Sequence, residues 1–182
     1  MNLVRWVLVP FLLFIINSDL AAGTRQFNLG NWGSLELEVP EGWKVNIQGQ
    51  EAEGGPAIRI EPGQDIQLIL FVTPLPLSEA AKDGESSVER TVNQAIREAS
   101  KVAVEKKLQV HELKGKESRG RYFSATDRTV NQPNRTDFKY MDQGAATVGR
   151  LIMTFTVLTN EKSGPTRTQA LAIVRSARYV SP

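Results

Sequence analysis

The chain is 182 residues long and contains no cysteine, which excludes disulfides, thiolate metal sites, thiol catalysis and a cysteine-linked lipid anchor. Its formal charge of +2 conceals a division: six Lys and Arg face twelve Asp and Glu between Thr24 and Ser100, and fifteen face seven between Lys101 and Pro182. Halves of opposite sign either pair their charges across a shared sheet or leave a charged binding face.

The first residues set the compartment. Arg5 precedes an apolar run from Trp6 to Ile16, and Asn17 to Gly23 turns polar and then small. These are the three parts of a secretory signal peptide, with a cut expected after Ala22 or Gly23. The run falls short of the roughly 20 apolar residues that cross a bilayer. The reading is therefore a signal peptide over 1–23 and a single domain over 24–182, periplasmic or secreted. An uncleaved segment would instead act as a membrane anchor.

In the mature region Leu35, Leu37 and Val39 alternate with polar residues, and Trp43, Val45 and Ile47 do so again after Pro40-Glu41-Gly42. Two half-buried strands around a type I turn predict a hairpin, with Trp43 in the core. Ile58 and Ile60 predict a short strand. Ile66 to Val72 is apolar on both faces, which predicts a central strand ended by Pro74 and Pro76. Ser86 and Glu89 fit a capping box, and Val88, Val92, Ala95, Ile96, Ala99, Val102 and Ala103 form one apolar stripe of a helix. Leu108 and Val110 open a strand that stops at Gly115. Gly120 to Arg128 is another, with Phe123 and Ala125 on one side and Tyr122 on the other.

The strongest strand signal lies between Phe138 and Asn160. Leu151, Met153, Phe155 and Val157 alternate with Ile152, Thr154 and Thr156, so this strand should sit inside a sheet with one fully apolar face. A preceding strand from Phe138 to Gln143 joins it near Gly144 and Gly149. Ala170, Ile173, Val174 and Ala177 then predict a closing amphipathic helix. The fold class expected is α+β, a largely antiparallel sheet with flanking amphipathic helices, an α/β/α sandwich.

Val39-Pro40-Glu41-Gly42-Trp43, Gly120-Arg121-Tyr122-Phe123, and Tyr140-Met141-Asp142-Gln143-Gly144 leading into Leu151–Leu158 carry a resemblance. In that order of elements the chain resembles the α/β/α sandwich shared by the photosystem extrinsic subunit PsbP, the Ran-binding Mog proteins and bacterial DcrB-like envelope proteins. The resemblance implies a binding or assembly factor without catalysis, and transfers no partner-binding residue.

Motifs for chemistry are sparse. His111 is the one histidine, and Glu112 beside it points the other way on a strand. Asp127, Asp137 and Asp142 could bring two acids together across neighbouring strands, as a glycosidase requires. No nucleophile elbow, zinc-binding helix, phosphate loop or dinucleotide motif is present. Arg167, Arg175 and Arg178 read as the polar side of the last helix, beside Lys162, and are candidates for electrostatic contact with an anionic partner. Asn134-Arg135-Thr136 is a glycosylation sequon, relevant only in a eukaryotic source. The sequence thus predicts no catalytic or metal residue, no cofactor and no nucleic acid, and a protein partner in the cell envelope. A carboxylate-dependent hydrolase and a basic-face binder of anionic lipid are the alternatives. Contact with a membrane is expected only if the N-terminal segment stays attached.

Overall fold

The computed structural model describes residues 22–48, 56–62, 68–76 and 84–182. The expected N-terminal signal segment, the polar, glycine-bearing loop that the sequence suggests from Gln48 to Gly55, and Ile66 fall wholly or largely outside those residues. Ten strands and two helices follow in the order β1 (Ala22–Asn28), β2 (Ser34–Pro40), β3 (Lys44–Gln48), β4 (Ala57–Glu61), β5 (Leu68–Pro76), α1 (Gly84–Ala99), β6 (Val110–Lys114), β7 (Ser118–Thr126), β8 (Tyr140–Val148), β9 (Leu151–Thr159), α2 (Pro165–Arg175) and β10 (Arg178–Val180). They form two antiparallel sheets, one of three strands ordered β1-β2-β10 and one of seven ordered β3-β4-β5-β9-β8-β7-β6. The architecture is α+β and largely antiparallel. Among the described residues no helix is long and apolar enough to cross a membrane.

β9 lies at the centre of the larger sheet, between β5 and β8. Leu151, Met153, Phe155 and Val157 are all buried on one face, as their alternation requires, and pack with Leu70 and Val72 of β5 and with Ile173 and Val174 of α2. The small sheet covers the outer side of α2 through Leu35 and Leu37. On the opposite face of the large sheet α1 sets Val88, Val92 and Ala99 against Phe123, Ala125 and Ala145. The layers therefore run α1, seven strands, α2, three strands.

That fourth layer corrects the expected hairpin. β2 pairs with β1 and β10, whereas β3 pairs with β4 in the other sheet. The turn is real, closed by the Trp43 N–H on the Pro40 carbonyl at 3.2 Å, but it carries the chain from one sheet to the other. Its register lies one residue later than the sequence predicts. Gly42, with φ of 83°, takes the third place, where a type II turn needs a left-handed residue. Trp43 packs partly buried against the core.

Other boundaries also differ. β5 runs on through Pro74 and Pro76, paired with Met153 and Leu151. Among the described residues β4 offers no partner beyond Val72, so this stretch is a sheet edge there, where a missing N–H is tolerated. α1 begins at Gly84, two residues before the expected cap, and ends before Val102. The chain does not finish in a helix: α2 stops at Arg175 and β10 returns to pair with β2.

Gly144 lies inside β8 rather than at a turn. It sits opposite Phe155, and a Cβ there would come within 2.5 Å of Tyr122 Cβ and 2.8 Å of Phe155 Cζ. Gly144→Ala is expected to lower stability by about 1–3 kcal/mol in urea unfolding, because ring and neighbouring strand must both move. An unchanged midpoint would mean that the strands close around the methyl without strain.

Candidate functional site

The period of two places Asp142, Ala146 and Val148 on the same face of β8, the face that looks at α2. An acid there is shut away from water and must find a partner. Asp142 is 0 % exposed, and Arg167 reaches it from the first turns of α2. Nε donates to Oδ2 at 2.6 Å and Nη2 to Oδ1 at 2.5 Å, a bidentate pair. Ser124, directly opposite Asp142 on β7, donates its hydroxyl to Oδ1 at 2.6 Å and accepts from Arg167 Nη2 at 3.0 Å. Hydrogen bonding to Asp142 holds the guanidinium above its ordinary pKa, against the opposing effect of burial. Another N–H of Arg167 donates to the Lys162 carbonyl. The cluster ties α2 to β7 and β8, and both oxygens of its carboxylate are already engaged by Arg167 and Ser124, which leaves neither free to attack or to take a proton.

The other acids do not converge on it. Asp127 follows β7 and accepts from the Thr129 N–H at 2.7 Å and its hydroxyl at 2.6 Å. Burial opposes its charge, but those bonds outweigh it and hold the carboxyl below its usual range. Asp137 accepts from Asn134 Nδ2 at 2.7 Å within the exposed loop. His111 lies exposed on β6 with its ring 5.2 Å from that of Tyr122. Among the described residues no three His, Asp or Glu gather as metal ligands would.

The three arginines separate. Arg167 turns inward to Asp142 with its side chain 22 % exposed, Arg175 is half-buried at the end of α2, and Arg178 belongs to β10, where it reaches Glu117 at 3.1 Å. They share no face. Helical spacing contains the clue for Arg167, which stands three and seven residues before Ala170 and Val174 and so lies on the apolar stripe.

A cleft of about 380 Å³ opens between α1 and the β6–β7 edge, lined by Glu85, Glu112, Lys114, Arg119 and Arg121 among others. Its charges answer one another: Arg121 reaches Glu85 at 3.3 Å, and Lys114 reaches Glu112 at 2.5 Å. Arg119 donates to the Ser118 carbonyl at 2.9 Å. Both acids of the cleft are thus paired with cations, and Arg119 is held by main-chain carbonyls.

Glu105 anchors the segment after α1. Its carboxylate accepts from the Thr126 N–H at 2.9 Å and the Thr126 hydroxyl at 2.7 Å. Burial raises its pKa, but the bonds from Thr126 prevail and the net direction is down. A lowered carboxyl stabilises the fold above its unfolded value of about 4.3, and that contribution disappears as pH falls through the folded value. Between about pH 4.5 and pH 3 the parent should therefore lose more stability than Glu105→Gln. Parallel pH curves for the two proteins would contradict this role.

Comparison with solved structures then bears on the architecture. Cyanobacterial PsbP (CyanoP) from Synechocystis sp. PCC 6803 superposes with a TM-score of 0.53 over 90% of this chain and 96% of that one, at 13% identity. The fold is PsbP-like. The likeness supports the PsbP part of the resemblance and extends to the fold alone. A Bacteroides thetaiotaomicron structure gives a TM-score of 0.43 at 8% identity, over 86% of this chain and 48% of that one. No family model and no curated protein matches the chain in sequence.

Proposed function

We propose that the chain is exported and works as a non-enzymatic binding or assembly factor of the cell envelope, with a protein as its partner. The observation that carries this reading is the PsbP-like fold, reached independently from sequence pattern and from superposition. Side-chain chemistry agrees with it: Asp142 is committed to Arg167, and Asp127, Asp137 and His111 are held apart from it in separate local contacts. Among the described residues no arrangement favours the hydrolase alternative. The charged, apolar and small-residue parts of the first 23 residues support export.

Affinity isolation from native envelope tests the reading, with the expectation of one protein recovered in near-equimolar amount at low and high salt. Recovery of the chain alone under both conditions would overturn it. Arg175 and Arg178 act in this account by steering rather than by forming the contact. Arg175→Gln with Arg178→Gln should weaken binding modestly and only at low salt, where fields extend over about 10 Å or more. Complete loss at both salts would assign those two arginines to the contact itself.

A further inference from the structure

The stretch from Lys101 to Leu108 closes the part of the β7 edge that β6 does not reach. β6 pairs with β7 from Arg119 to Phe123. Beyond it the Val104 N–H donates to the Thr126 carbonyl at 2.8 Å, and the Arg128 N–H to the Val102 carbonyl at 2.9 Å. Ala103 between them bridges Asp127 and is buried, which turns Val102 and Val104 outward, 41% and 57% exposed. Val110, opposite Phe123 on the same edge, is 46% exposed. Three of the five large hydrophobic side chains exposed among the described residues thus fall within nine residues of one sheet edge.

The exposed charges of the stretch itself are lysines, while the nearby Glu98 and Glu112 are paired with Lys101 and Lys114. Glu105, the carboxylate of this stretch, points inward to Thr126. Lys101 is held by Glu98, whereas Lys106 and Lys107 are exposed with no carboxylate partner among the described residues. Arg128 adds a further cation, and its guanidinium donates to the Lys101 carbonyl. The outward surface is aliphatic and cationic.

We propose that this edge docks on an anionic lipid surface, with Val102 and Val104 entering the headgroup boundary and Lys106, Lys107 and Arg128 meeting phosphates. Composition decides between lipid and protein. Protein interfaces favour aromatic residues and Arg and are poor in Lys, and their energetic centres seldom use Val. Aliphatic side chains flanked by lysines are what an anionic headgroup layer accepts. Lysines that merely guard a sheet edge against pairing would account for the charges but not for valines turned outward. The inference goes beyond protein binding and stands apart from it.

The test measures partition of the whole chain onto phosphatidylcholine vesicles with and without phosphatidylglycerol. The ratio of the two cancels whatever the apolar Trp6–Ile16 stretch contributes to both. The parent should favour the anionic vesicles, and raised salt should reduce that preference. Lys106→Glu with Lys107→Glu should lower it by at least about 25-fold, since each lysine near an anionic surface contributes about fivefold and each added carboxylate is repelled. Lys116→Glu with Arg150→Glu makes the same change in net charge at the opposite end of the sheet and should alter it by no more than about twofold. Val102→Asn with Val104→Asn should weaken binding to both vesicles. No preference in the parent, or equal losses from the two charge pairs, would overturn the proposal. So would a Lys106→Glu, Lys107→Glu protein that keeps its vesicle binding and loses its protein partner. Thermal unfolding of each variant checks that it is folded, as expected because neither lysine has a carboxylate partner among the described residues.

Discussion

Asp142→Ala is expected to destabilise the protein by about 3–5 kcal/mol, because it leaves the Arg167 guanidinium inside the fold without its carboxylate. Asp142 is 0% exposed and the Arg167 side chain 22%, so water can offset little of the loss. The cost comes from breaking the pair, which need not be a strong net contributor to stability. Replacing both partners by apolar residues of similar size, Asp142→Leu with Arg167→Met, should recover most of the loss. Urea unfolding of Asp142→Leu, Arg167→Met and the double gives the coupling directly. A single-variant loss below about 1 kcal/mol would place the pair in contact with solvent, and α2 would then be held by its apolar side chains alone.

Phe155→Ala should cost about 3–5 kcal/mol through a cavity at the centre of the large sheet. Phe155 is 2% exposed, sits opposite Gly144, and has its ring 6.3 Å from that of Tyr122. Because the strands on either side are fixed by their ladders, little can collapse into the space. For a domain of this size the thermal midpoint should fall by on the order of 10 °C. Thr156→Ala, on the other face of the same strand, provides the comparison. If Phe155→Ala fell no further than Thr156→Ala, β9 would not be the centre of the core.

Local period made much of this fold legible. β9 announced itself through four alternating apolar residues, and α2 through Ala170, Ile173 and Val174 at helical spacing. Such signals depend on neighbours in sequence. The partition into two sheets does not, because β2 has the same half-buried pattern whichever strand it pairs with. Only the long-range contacts of β1 and β10 draw it away from β3. β1 itself was hidden, since Phe27 is the one side chain that it buries. At the candidate site, Asp142 read only as one of three acids that could meet across neighbouring strands. Its parity with Ala146 and the place of Arg167 on the apolar stripe of α2 held the missing information, on two elements whose contact no local rule supplies. The exposed edge after α1 was missed for a similar reason: Val102 extends the helical stripe of Val88 and Val92, and the helix ends before reaching it.

Native mass spectrometry of the chain released from its own envelope tests the central claim most directly, because one spectrum reports both processing and partnership. The account predicts a chain beginning at Gly23 or Thr24, which trims at most two residues from the exposed start of β1, bound to one copy of a second protein. A chain still carrying Met1 and recovered alone would contradict both export by cleavage and the binding role.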